Sequence, residues 1–236
     1  MRKSNRGDNP TPCALRIVLL ATLAWIIPVH ANAQSLGWIN WNGPNFLGPC
    51  QGDCGLAIYG GKQVTDAMEQ IFFVNYPAAP PWKWHWGGSE FVATSFSRRL
   101  VRFADALDIE PEVGLGKRFG DMVAMQFWGG AVIRWTVFPW NDVLKTSMGF
   151  SEGLSLATQV ENGERVLNDA QRTPMGFRYT GSIILNYFSP EITFALPQFP
   201  AYELLIRFDH RSGIFGLIKN VHAGVQYETI GFRVRF

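Results

Sequence analysis

The chain has 236 residues, enough for one domain or at most two. Apolar residues make up 47%, aromatic residues 14% and charged residues 17%, a balance that excludes a disordered chain. A formal charge of +2 leaves no basic footprint for nucleic acid, and 24 Gly without a G-X-Y period exclude collagen.

The first segment reads as a secretory leader. Arg2, Lys3, Arg6 and Arg16 form a positive start, and Ile17 to Val29 form an apolar run of 13 residues. Ala31-Asn32-Ala33 then give a small-x-small cleavage pattern before Gln34. The run falls short of the ~20 apolar residues that a spanning helix needs, and Pro28 breaks it. An uncleaved anchor is the alternative reading. Removing 1–33 leaves 203 residues with 17 basic and 18 acidic side chains, so the leader carries the whole apparent basicity.

Residues 34–54 read as an N-terminal periplasmic or interfacial segment, with Trp38, Trp41 and a C-x3-C pair. In an exported protein, Cys50 and Cys54 are candidates for a local disulfide closing the GPCQGDCG loop. Two thiols without clustered His do not make a zinc site, and the sequence presents no metal site.

From residue 55 onward, apolar residues recur at every second position, which is strand periodicity. The expected strands are 55–61, 89–99, 105–116, 121–136, 146–157, 177–188, 201–212 and 222–236. Between the first two lies Pro77 to Trp86 (PAAPPWKWHW), too Pro-rich for a sheet interior. It reads as an outer loop dipping its aromatics into the membrane interface, or else packed over the barrel mouth. In 105–116, Leu107, Ile109, Val113 and Leu115 alternate with Asp108, Glu110 and Glu112, and Pro111 interrupts the run. In 121–137, Val123, Met125, Phe127, Ile133 and Trp135 share the odd face, with Gln126 and Arg134 on the other. In 177–187, Phe177, Tyr179, Ile183, Leu185 and Tyr187 alternate with Arg178, Thr180, Ser182 and Asn186; Ile184 is the exception. The last strand sets Ile230, Phe232, Val234 and Phe236 against Thr229, Arg233 and Arg235.

A soluble sandwich would leave the charged faces in water. A small membrane barrel turns its apolar faces to lipid and pairs the charges inside. An even strand count closes an antiparallel cylinder and leaves no edge in the bilayer. The expected fold is therefore all-β, an eight-stranded antiparallel transmembrane β-barrel over 55–236. Asp108, Glu110, Glu112, Arg134, Arg178, Arg207, Arg233 and Arg235 would fill its lumen as ion pairs. Eight strands enclose side chains, which argues against a selective pore. With both termini periplasmic, the connections 62–88, 117–120, 158–176 and 213–221 face outward.

The stretch 202–213 (YELLIRFDHRSG) carries the candidate chemistry. Leu204, Ile206 and Phe208 make its even face apolar and lipid-facing, and that face then presents His210 and Ser212. Two residues along a strand is ~6.6 Å between Cα atoms, within reach of an imidazole and a hydroxyl. Asp209 points the other way, into the barrel. A polar pair on a lipid-facing stripe either marks the water interface or has a function.

The Phe208-x-His210-x-Ser212 pattern, one loop and a final strand ending in Phe236 resemble the lipid A 3-O-deacylases of Gram-negative outer membranes, an acyloxyacyl hydrolase-like barrel family. The likeness is strongest over the last ~35 residues and is one of strand layout elsewhere. It implies a bacterial outer-membrane esterase that removes the 3-O-linked acyl chain of lipid A on its lipid-facing wall, without a cofactor. Ser212 would be the nucleophile and His210 the general base. Backbone near Ser212 and Gly213 would stabilise the oxyanion. The family usually has Asn after the serine, where this chain has Gly213. The family's acid sits in a G-x-E step, where this chain reads Gly224-Val225-Gln226. Gln226 would orient the ring without neutralising it, and Glu228, two residues on, would do both. The implied partners are lipid A and lipopolysaccharide, with homodimerisation left open. The other class of function is a non-enzymatic structural or adhesive barrel that works through its long outer loops.

Overall fold

The computed structural model describes residues 38–41, 46–68, 71–72, 80–160, 166–167, 179–180, 182–219, 221 and 224–236. The leader expected at 1–33 lies outside the described residues, as does Arg178.

Eight long strands form the wall: β1 (Cys54–Val64), β2 (Trp86–Arg98), β3 (Leu107–Phe119), β4 (Ala124–Trp135), β5 (Lys145–Ala157), β6 (Ile184–Ala195), β7 (Tyr202–Ser212) and β8 (Gly224–Arg235). Each pairs antiparallel with its sequence neighbours, and β8 pairs back on β1 from Gln226↔Val64 to Arg235↔Gly55. The cylinder is closed and its wall has no edge. At the seam, Cys54 N donates to Phe236 O at 3.2 Å and Phe236 N to Cys54 O at 3.1 Å. The ends of the wall therefore meet at one rim.

Alternation sorts the wall into two faces. Leu56, Ile58, Val113, Phe127, Leu154, Ile230 and Phe232 are exposed outside, while Glu110, Glu112, Arg118, Arg134, Arg207 and Arg233 are buried inside. An apolar exterior around a charged interior is the inverse of a water-soluble barrel and is the arrangement a bilayer demands. Three of the four connections at the far rim, 65–85, 158–183 and 213–223, are longer than any at the rim where β1 begins and β8 ends, so the latter rim is periplasmic.

The lumen is packed in two zones. In one, Arg134 pairs with Glu110 at 3.1 Å and Glu191 at 2.6 Å, and Arg233 with Glu191 at 2.7 Å. Arg235 reaches Glu110 at 3.0 Å and Glu203 at 3.1 Å. In the other, Tyr59, Phe91, Trp128, Tyr187, Leu205 and Tyr227 cluster. Arg207 joins the zones. It forks onto Glu112 at 2.5 and 2.9 Å and lies over the Tyr59 ring at 5.3 Å and the Tyr187 ring at 5.8 Å.

The sixth strand corrects the sequence expectation. It runs 184–195, not 177–188, and carries Pro190 within it. Leu185 and Tyr187, expected on an apolar lipid face, are fully buried in the lumen, where Tyr187 Oη donates to Asp209 at 2.7 Å. Because side chains alternate, the polar residue read on the opposite face, Asn186, is on the outer wall. Proline is tolerated because the β6–β7 ladder skips Ser189 and Pro190, and Ser189 Oγ donates instead to Phe208 O at 3.0 Å.

The segment before β1 closes on itself. Cys50 and Cys54 form a disulfide. Arg98 bonds Asp53 at 2.7 Å and the carbonyls of Phe46 and Gly48 at 2.6 and 2.7 Å. Ile39–Trp41 pairs with Val101–Phe103 at the periplasmic rim.

Arg207→Leu strands Glu112 without its fork, and should cost about 3–5 kcal/mol. Urea unfolding of the refolded barrel in detergent measures it. The double variant Arg207→Leu/Glu112→Leu should recover most of that loss; equal losses in the single and double variants would show that the stranded carboxylate is not its cause.

Candidate functional site

His210 and Ser212 both lie on the outer wall, near the extracellular end of β7. Their row and the next can be followed across the ladders. His210 faces Phe188 on β6 and Gln226 on β8, and Ser212 faces Asn186 and Gly224. Gly224 makes room for the pair: a Cβ there would stand 2.9 Å from His210 Cε1 and 2.6 Å from the Arg211 carbonyl. Asp209 is inside, bonded by Tyr187 and by Gln126 Nε2 at 3.1 Å.

The ring of His210 is held by an amide. His210 Nδ1 lies 3.0 Å from Gln226 Oε1. Gln226 is buried, and its Nε2 donates to the Asp66 backbone carbonyl. That second bond settles the chemistry of the first. A carbonyl accepts only, so the amide nitrogen faces Asp66 and the amide oxygen faces the ring. Nδ1 must then be the protonated nitrogen, and Nε2 carries the lone pair in the neutral ring.

Glu228 stands one row toward the periplasm, opposite Phe208 on one side and Lys62 on the other. It lines an apolar groove of about 780 Å³ on the outer wall, with Phe72, Trp84, Phe150, Phe188 and Phe208 among its walls. Gly213 follows Ser212 in a tight turn. Its carbonyl accepts from Ile218 N at 2.9 Å, and a Cβ on it would collide with the Val221 carbonyl. Ile214 and Phe215 both have positive φ, +49° and +52°. A β-branched residue in that region stores strain directly beyond the serine.

The described parts of the first extracellular connection, 65–68, 71–72 and 80–85, pack over this part of the wall as a strap. Phe208 is buried between Phe72, at 5.2 Å centroid distance, and Trp84, at 6.2 Å, beside Val64 and Ile71. The Pro-rich tract thus packs Trp84 onto the wall and leaves Trp82 exposed. The two ends of the strap are tied together: Thr65 N donates to His85 O at 2.9 Å, and the Asp66 carboxylate takes His85 N at 2.6 Å and His85 Nδ1 at 2.8 Å.

Two outer-wall residues complete the polar patch and were not singled out from the sequence. Asn186 Nδ2 donates to Glu152 Oε1 and, at 3.3 Å, to Gly153 O. The exception at Ile184 was the available signal, because it breaks the parity that put Asn186 inside. Among the described residues, no cluster of His, Cys, Asp and Glu could hold a metal ion.

A closed eight-stranded antiparallel cylinder with a charged lumen and an apolar wall defines an integral β-barrel of the bacterial outer membrane. Among solved structures the chain is similar to Neisserial surface protein A, with TM-score 0.43 and 12% identity over 79% of this chain and 98% of that one. It is similar to the outer membrane enzyme PagL, with TM-score 0.46 and 10% identity over 78% and 99%. Ail of Yersinia pestis gives TM-score 0.38 and 11% identity over 79% and 100%. No protein-family model and no curated protein sequence matches the chain.

The tie between Asp66 and His85 has a defined pH range. The His85 backbone N–H, and after it the ring, hold the Asp66 carboxyl below the usual carboxylate range. A group with a lowered folded pKa stabilises its contact above the ordinary value and loses it as pH falls through the lowered one. The strap should therefore stay tied from neutral pH down to about the ordinary Asp value of 3.8 and release below it. Amide exchange at His85, followed against pH, checks this; a release midpoint near neutrality would contradict it.

Proposed function

We propose that the protein is an outer-membrane ester hydrolase that removes the 3-O-linked acyl chain of lipid A. The observation that carries this reading is the His210–Gln226–Asp66 chain. It orients the imidazole of His210 on the lipid-facing wall, two residues from a serine on the same face.

In this reading Ser212 Oγ attacks the ester carbonyl carbon as His210 Nε2 takes its proton. The carbonyl oxygen becomes an oxyanion, which backbone N–H groups near Gly213 stabilise. Collapse breaks the bond to the sugar oxygen, and that oxygen leaves as a hydroxyl with the proton from Nε2. Water, deprotonated by the same nitrogen, then releases the fatty acid and restores Ser212. The apolar groove beneath Phe72 and Trp84 offers a wall along which the acyl chain can lie. No step needs a cofactor.

The two tasks of a triad acid are divided. Gln226 sets the tautomer and the ring angle. Glu228, diagonal to His210 across the β7–β8 ladder, supplies negative charge against the transient imidazolium.

Expression in a host that lacks such an enzyme, with mass spectrometry of its lipid A, tests the reading. The wild type should remove one hydroxyacyl chain and Ser212→Ala none. Loss of the chain with Ser212→Ala would overturn the assignment of the nucleophile. No loss from folded wild type would favour a non-enzymatic barrel. Gln226→Leu should lower kcat about 10²-fold with little change in KM, the scale of positioned acid–base catalysis. Glu228→Gln, which keeps shape and removes charge, should lower kcat less, by about tenfold, as loss of one long-range charge would.

A further inference from the structure

The polar patch on the outer wall is wider than the hydrolytic reading requires. Ser212, His210 and Gln226 account for the part on β7 and β8. Asn186 on β6 and Glu152 on β5 move no proton in that chemistry. Yet they stand in the adjoining positions, Asn186 opposite Ser212 and Glu152 in line with Phe188 and His210.

Their surroundings make Glu152 costly. Its outward neighbours along β5 are Phe150 and Leu154, both exposed apolar side chains, and its partners across the two ladders are Phe188 and Ala131. A carboxylate facing lipid from such a stripe is expensive unless its acceptors are satisfied. A carboxylate accepts at about four sites. Asn186, itself buried, gives it one N–H and gives the other to Gly153 O. Glu152 is thus aimed by Asn186, and it remains exposed in the row of His210, next to the row of the nucleophile.

We propose that Glu152, held by Asn186, binds a hydrogen-bond donor on the substrate, a hydroxyl or amide N–H on the atom next to the scissile ester. Acylated sugars and amino sugars carry such a donor. Phosphatidylcholine carries no O–H or N–H at all, so the same carboxylate discriminates against it. This rests on the hydrolase reading for the location of the ester. The test keeps the two separate.

Full-length protein is refolded in detergent with Ser212→Ala, so that nothing turns over. Binding of lipid A and of phosphatidylcholine is then measured by equilibrium titration. Glu152→Leu fits the apolar stripe and should weaken lipid A binding about tenfold, as loss of a charged hydrogen bond does. Phosphatidylcholine binding should stay unchanged. Asn186→Leu should act in the same direction, and Glu152→Gln, which keeps a carbonyl acceptor, should restore most of the affinity. Equal weakening for both lipids, or none for either, overturns the proposal. Ester cleavage is read separately with Ser212 restored. Absent cleavage with a Glu152-dependent preference for lipid A would remove the hydrolase and keep the binding site. Cleavage without that preference would do the reverse.

Discussion

The interior ion pairs of the cylinder are the constraint from which the rest follows. Glu110, Glu112 and Glu191 are almost wholly buried, as are Arg134, Arg207 and Arg233. Each would be prohibitive alone in a medium of low dielectric. They are affordable because one carboxylate serves several guanidinium groups: Glu191 meets Arg134, Arg207 and Arg233. With the lumen filled by charge, the apolar half of every strand must face outward. That inversion commits the chain to a bilayer.

The same alternation sets where chemistry can stand. Arg207, Asp209 and Arg211 are locked inside, so the outward positions of β7 are the ones that can meet a lipid. Leu204, Ile206 and Phe208 are apolar, and the outward face of β7 turns polar at His210 and Ser212. The strap adds a second layer there. Phe72 and Trp84 cover Phe208, and the Asp66 carbonyl takes the Gln226 amide. An outer loop and a wall strand are thereby joined through one glutamine. The packing that holds the strap down also decides which imidazole nitrogen bears the proton.

Strand existence, face and count were legible wherever period two ran unbroken, as in 121–136 and 222–236. There, apolar and charged residues alternate, and membrane inversion needs only that the charges find one another. Legibility failed where residues of both faces were apolar. In 177–188 a plausible alternation of Phe177, Tyr179, Ile183, Leu185 and Tyr187 competed with the true strand. The true strand holds Pro190, tolerated there with a serine hydroxyl standing in for the missing ladder bond, a feature the sequence does not display. The slip concealed Asn186, and with it Glu152. His210, Ser212 and Gln226 could be read because they share parity with a well-marked stripe. The roles of Asp66 and His85 could not, since they depend on a loop folding back across 19 residues and on a contact between Asp66 and Gln226, 160 residues apart.

Strand geometry also explains why an amide faces His210. The acid nearest in sequence, Asp209, is on the wrong side of the wall, and no rotamer can bring it through. Any group that orients the ring must come from a neighbouring strand at the same height, which the β7–β8 register makes Gln226. A carboxylate at that position would face the Asp66 carbonyl with two acceptors and no donor, and would push the strap away. Glutamine is the residue of that length that accepts from the ring on one side and donates to the strap on the other. Its neutrality follows from holding the loop down. Glu228, on the same strand face one step toward the periplasm, pairs across the ladders with Phe208 and Lys62 and takes part in neither bond.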